Sequence, residues 1–149
     1  MKKFALLLPL ILLFSCTNSI VTEITKDFPN NTWKKREGKT FEFDMTADKG
    51  AAKLAVKFSH IYDPGYTSVP IRIVIKHPDG QIETQTTTLE LRDEKGKDLS
   101  DCAGDICDLK QVVIKHSPFH KGSYNVTIQN NFKQGDLPNV LALGIVVEE

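Results

Sequence analysis

Phe41-Glu42-Phe43-Asp44-Met45 alternates an apolar residue with an acidic one at every step. A period of two is the period of a β-strand, whose successive side chains point to opposite faces. The same period returns downstream. Ala52, Leu54, Val56 and Phe58 are interleaved with Lys53 and Lys57, and Ile71, Ile73 and Ile75 with Arg72 and Lys76. Each segment has one dry face and one wet face, the pattern of antiparallel sheets that keep one side in water.

The connections are written in turn residues. Asp48-Lys49-Gly50 predicts a tight turn, and Tyr62-Asp63-Pro64-Gly65-Tyr66 a longer loop. In His77-Pro78-Asp79-Gly80, Pro78 presets φ and Gly80 supplies the position that needs φ above zero. Gln81 to Leu91 alternates again, and Arg92 to Ser100 reads as a charged hairpin tip or excursion bent at Gly96. Residues 109–116 predict a strand ending at Pro118, and residues 122–128 another, with Tyr124, Val126 and Ile128 on one face. Leu137 to Val147 is apolar on both faces, which predicts a strand in the middle of a sheet. No helical period stands out after residue 16. Seven or eight short strands predict an all-β fold, a single antiparallel β-sandwich of jelly-roll type.

Upstream, the chain changes character. Lys2 and Lys3 precede an apolar run from Phe4 to Phe14, closed by Ser15-Cys16. A basic start, a greasy core and a small residue before cysteine is the layout of a lipoprotein signal. The run is too short for a bilayer span, which takes about 20 residues. The expected organisation is a signal peptide over 1–15, a lipidated tether over 16–31 and the sandwich over 32–149. Acyl chains on Cys16 would then hold the protein to a membrane, each buried methylene contributing about 0.8 kcal/mol. Within the tether, Ile20, Val21 and Ile24 could dock as an edge strand.

Charge narrows the classes of partner. The chain balances 19 basic against 19 acidic residues, and loss of Lys2 and Lys3 leaves a net charge of −2. Such a surface has no electrostatic footprint for nucleic acid. Cysteine use suits an oxidising compartment, since Cys102 and Cys107 are the only cysteines besides Cys16. A disulfide between them is the favoured reading. Free thiols, or a metal site drawing on Asp98, Asp101, Asp105 and Asp108, are the alternatives. The spacing matches neither paired-cysteine zinc sites nor the calcium loop. His116 and His120 are four apart, but Pro118 stands between them and the context is a strand end, so surface roles are expected.

Catalytic frames are missing from the sequence. No serine sits in Gly-x-Ser-x-Gly, no glycine-rich stretch suits a phosphate, and the carboxylates suit a solvated sheet face. The expectation is a non-enzyme without a cofactor or metal. Loop aromatics offer a glycan-binding alternative, with Trp33, Tyr62 and Tyr66 as the candidate surface. The same positions also suit rings that plug the ends of a sandwich.

The order of features resembles the GldH gliding-motility lipoproteins of the Bacteroidota. The likeness rests on the lipobox, the tryptophan before a Phe-x-Phe strand, the tyrosine-containing loop after the second strand and the Pro-x-Gly turn. It is densest in Phe119-x-x-Gly122-x-Tyr124-x-Val126-x-Ile128-Gln129 and Leu137-x-Asn139-Val140-x-x-Leu143-Gly144-Ile145-x-Val147-Glu148. Ser59-His60-Ile61 and the Cys102/Cys107 pair depart from the family's habit. The resemblance implies an envelope lipoprotein without enzymatic activity, needed in gliding members for a motility apparatus linked to type IX secretion. Other envelope proteins are its implied partners. Thr17-Asn18-Ser19-Ile20-Val21 lacks the acidic cluster that resembles a surface-export signal in that phylum, which implies a periplasm-facing position.

Overall fold

The alternating segments become strands of two facing sheets in a computed structural model that describes residues 20–149. Residues 1–19, with the expected signal peptide and Cys16, lie outside the described residues. The described strands, in chain order, begin with β1 (Ile20–Asp27), β2 (Thr32–Trp33), β3 (Gly38–Met45) and β4 (Lys49–Ile61). They continue with β5 (Ser68–Lys76), β6 (Ile82–Glu90), β7 (Asp101–Ala103) and β8 (Ile106–Phe119), then β9 (Gly122–Asn130), β10 (Leu137–Pro138) and β11 (Val140–Glu148). One sheet runs β1-β11-β4-β8-β7 and the other β3-β9-β5-β6, while β10 and β2 form a small ribbon. Every ladder is antiparallel.

Setting aside the short β2, β7 and β10 leaves eight long strands. Numbered one to eight along the chain, they lie in the orders 1-8-3-6 and 2-7-4-5. That winding is a jelly roll, two Greek keys closed on each other. Its interior is filled by the residues that alternation marks: Phe41 and Met45 of β3, Leu54, Val56 and Phe58 of β4, Ile71, Ile73 and Ile75 of β5, and Val126 and Ile128 of β9. Each such side chain contributes about 1.5–3 kcal/mol by leaving water.

β11 explains the run that is apolar on both faces. It lies between β1 and β4, so both its edges are paired. Leu143, Ile145 and Val147 enter the core, while Ala142, Gly144 and Val146 line the outer face. At Gly144 the neighbouring strand leaves no room: a Cβ would lie 2.8 Å from the Thr25 hydroxyl and 2.9 Å from the Ile24 carbonyl. The expected single strand over 137–147 is nevertheless broken. Asn139 takes φ +63, and the chain switches there from the β2–β10 ribbon into the large sheet.

Two other boundaries differ from the sequence reading. The edge strand expected from Ile20, Val21 and Ile24 is β1, Ile20–Asp27, and because it pairs along β11 the sandwich begins before residue 32. Most β1 side chains face solvent, which is why its composition looks like a tether. β8 also runs past Pro118 to Phe119, with irregular register against β4 and His116 at φ +51. Proline is tolerated because β7 pairs only with residues 106–108, leaving the far edge of β8 without a ladder there.

The open side between the two sheets is closed by side-chain amides. Gln111 of β8 donates from Nε2 to the Thr88 carbonyl at 2.8 Å and accepts from the Glu90 N–H at 3.0 Å. Gln85 of β6 donates in return to the Val113 carbonyl at 3.4 Å. The Gln111 amide thus occupies the place a further strand would take on β6.

Candidate functional site

The jelly roll has two poles, and the candidate residues divide between them. At one pole the chain reverses at His77–Gly80 between β5 and β6 and at His120–Lys121 between β8 and β9. These turns bound an open cleft of about 850 Å³ lined by His77, Pro78, Glu83, Ser117, His120 and Tyr124. Tyr124 is the cleft's buried floor. Its ring stacks on Phe43 at 5.4 Å, tilts against Phe119 at 5.2 Å and meets the His77 edge at 5.6 Å. Its hydroxyl accepts the His120 N–H at 2.8 Å. Burial pushes this phenol above the ordinary tyrosine range; the bond from His120 opposes the shift, and the charges of Asp79 and Asp48 add to it.

The polar groups of this cleft are engaged with one another. His77 Nε2 lies 3.4 Å from Glu83, and His120 Nδ1 3.9 Å from Asp48. Asp48 also accepts the Lys121 N–H at 2.6 Å. Gly122, at φ +135, lets β9 start directly against Pro78, where a Cβ would come within 2.6 Å of the proline ring. His116 and His120 are both exposed. Among the described residues, no group of three or more His, Cys, Asp or Glu is arranged to hold a metal.

The opposite pole gathers the loops after β4, after β6 and before β11. Cys102 and Cys107 are cross-strand partners in the β7–β8 hairpin and are bonded, S–S 2.03 Å. Gly104 turns this hairpin at φ +63, as the first central residue of a type II′ turn requires. The Tyr62 N–H donates to the Asp105 carbonyl at 2.8 Å, so the Tyr62 loop lies against the hairpin tip. Arg92 ties neighbouring loops, with Nη2 3.0 Å from Asp63 and Nε 2.9 Å from Asp98. Buried His60 places Nδ1 2.9 Å from the Ile61 carbonyl and Nε2 2.9 Å from the Ser100 hydroxyl. The carbonyl can only accept, so Nδ1 carries a proton.

The three aromatic candidates separate here. Trp33 is not part of a recognition surface: it is 0% exposed, lies 5.4 Å from the Phe28 ring and 6.5 Å from Phe58, and donates from Nε1 to the Glu37 carbonyl. A ring of that size at the end of a sandwich removes more apolar surface by plugging it than by standing in solvent. Tyr66 is half-buried against Phe132, and its hydroxyl donates to the Pro138 carbonyl at 2.9 Å. Burial pushes its phenol far up. Only Tyr62 is open, at 52% exposure.

Sequence reading misses Asn130, which is fully buried. Its amide donates to the Trp33 and Lys34 carbonyls at 2.9 and 3.3 Å, and its oxygen accepts the Phe132 N–H at 2.9 Å. An asparagine at a strand end reads as a turn residue, and nothing local shows that its partners are almost a hundred positions away.

The class these observations define is a jelly-roll domain with its first strand entering at the cleft pole and an exposed, disulfide-closed hairpin at the other. The chain belongs to the GldH lipoprotein family, whose model matches residues 20–147. No match is found among curated proteins. Among solved structures, a family 35 carbohydrate-binding module from Clostridium thermocellum aligns at 15% identity and TM-score 0.39, covering 87% of this chain and 98% of that one. The VP2 subviral particle of infectious bursal disease virus aligns at 12% and 0.36, covering 97% and 37%. Dimeric latent PorU from Porphyromonas gingivalis aligns at 8% and 0.32, covering 91% and 14%. At these scores none of the three bears on what this chain binds. No described helix is long and apolar enough to cross a membrane.

Proposed function

We propose that this protein is a non-catalytic lipoprotein of the cell envelope, held by acyl chains on Cys16 and acting by docking to other envelope proteins in a motility- or secretion-linked assembly. The observation that carries the reading is the polarity of the sandwich relative to β1. Ile20 pairs with Glu148, which pairs in turn with Lys53, near the start of β4. Four residue steps from Cys16 to Ile20 span at most about 14 Å. An anchor at Cys16 therefore keeps the cleft pole beside the membrane. Ile61 lies eight residues beyond Lys53, which at 3.3 Å per residue holds the hairpin pole about 26 Å further out. A rigid sandwich with one tethered pole and one free pole suits presentation to a partner, on the side of the membrane that faces the periplasm.

The carbohydrate-binding alternative keeps less support. With Trp33 buried and the Tyr66 hydroxyl bonded, Tyr62 alone remains as a stacking platform.

Two measurements test the proposal. Cys16→Ala should move the protein from the membrane to the soluble fraction, and retention would remove the anchor. Crosslinking of the intact lipoprotein in living cells, followed by mass spectrometry, should capture motility or secretion proteins. Recovery of cell-wall fragments alone would transfer the assignment to a glycan-binding module.

A further inference from the structure

The outer face of the large sheet ends, at the hairpin pole, in an unpartnered apolar row. Ile61, Ile106 and Ala103 are register partners across β4, β8 and β7, so their side chains stand side by side on one face. Ile106 is 52% exposed. One step down the strands, the same face carries Ser59, Asp108 and Asp101, again direct partners.

That second row is costly as it stands. Asp101 and Asp108 are cross-strand neighbours of like charge, an arrangement that disfavours folding. The Ser59 hydroxyl donates to Asp108, but no described cation pairs with either carboxylate. The nearest lysines on this face turn away: Lys57 reaches Glu23 at 2.6 Å, and Lys110 bonds Glu148. Asp105 adds a third carboxylate at the hairpin tip. The Cys102–Cys107 bond, at the register position between the two rows but on the opposite face of the hairpin, holds the aspartates opposite each other.

Resting on the docking reading above, we infer that the Ile61–Ile106–Ala103 row and its aspartates form the docking surface, and that its occupant is a basic segment of an envelope protein. An apolar side chain of that segment covers Ile106, and an adjacent arginine or lysine bridges Asp101 and Asp108. The apolar row supplies the contact area. Charge complementarity identifies the occupant, since a guanidinium or ammonium removes the repulsion that the free surface carries. The surface lies on the pole away from Ile20, where β1 begins, within reach of neighbours in the periplasm and out of reach of the anchoring membrane.

The test uses the full-length lipoprotein in intact cells, with benzoylphenylalanine in place of Ile106 or, as a control on the cleft pole, of the more exposed Ile82. Ultraviolet crosslinks at position 106 should join a protein segment with arginine or lysine within a few residues of the captured position. In the Asp101→Asn/Asp108→Asn double variant the yield should fall about fivefold, the loss expected when exposed ion pairs are removed. The purified variant should unfold at the same or a higher temperature, because it relieves a like-charge pair. A purely structural role for the aspartates predicts the reverse, a lower unfolding temperature, and would overturn the inference. Crosslinks at 106 to an acidic segment, a second copy of this chain or a glycan would also overturn it. Crosslinks at 82 with none at 106 would overturn this surface while leaving the docking function standing. Silence at both positions would remove both.

Discussion

The two poles of the sandwich are held by different means. At the cleft pole, Tyr124 sits among Phe43, Phe119 and His77, and the turns pack directly on each other through Gly122 and Pro78. At the hairpin pole, Trp33 and Phe58 close the core, but the outermost layer is a short hairpin, a disulfide and a ring of charged loops. A side chain in a packed aromatic cluster is costly to replace, whereas one on a bonded hairpin changes without disturbing the core beneath. The cleft pole therefore reads as structural support, and the hairpin pole as a surface that can vary.

The largest effect should come from the plug shared by the core and the hairpin pole. Trp33→Ala leaves a cavity bounded by Phe28 and Phe58 and should cost about 3–5 kcal/mol, read by chemical denaturation. A loss below about 1 kcal/mol would mean that the core collapses freely around the missing ring and that this pole is looser than its packing implies.

A smaller loss is expected at the surface of the same pole. Cys102→Ser with Cys107→Ser opens a six-residue loop and should cost about 2 kcal/mol by the chain-entropy model. Amide exchange should rise over β7 and the start of β8 while Tyr124 and its neighbours stay protected. Faster exchange at both poles would show that the disulfide supports the whole fold.

The smallest effect separates the poles by pH. Tyr66 and Tyr124, one at each pole, both have phenols raised above the ordinary value of 10.0 by burial. A raised value means that the folded state keeps its proton after the unfolded chain has lost it. Stability is then intact below pH 10 and is lost as pH climbs above it. Removing the phenol flattens that fall, and Tyr66→Phe should flatten it more than Tyr124→Phe because its shift is larger. Equal slopes would mean that the two rings are equally buried from hydroxide.

Much of this architecture is legible in the sequence because alternation is a local property. Phe41, Phe43 and Met45, or Ile71, Ile73 and Ile75, announce both the strand and the side that faces inward. The central place of β11 follows from its apolar residues on both faces. What escapes is the part set by distant partners. β1 shows in the sequence only as Ile20, Val21 and Ile24, and its full length is hidden because an edge strand with few buried side chains has the composition of a linker. The Trp33 carbonyl is held by Asn130, far along the chain, and the opposition of Asp101 to Asp108 depends on the hairpin register. Tyr62 and the Cys102–Cys107 pair are visible one by one in the sequence, but only the fold sets them side by side.

Gln111 has a consequence for life on a membrane. Confining a protein to a surface raises its local concentration, and two open sheet edges that meet there can join into an extending ribbon. Because its amide already holds the Thr88 carbonyl and the Glu90 N–H, a neighbouring molecule finds no free rung on that stretch of β6. One glutamine, reaching across from the opposite sheet, thus closes that stretch of the β6 edge to strand pairing with a neighbouring copy.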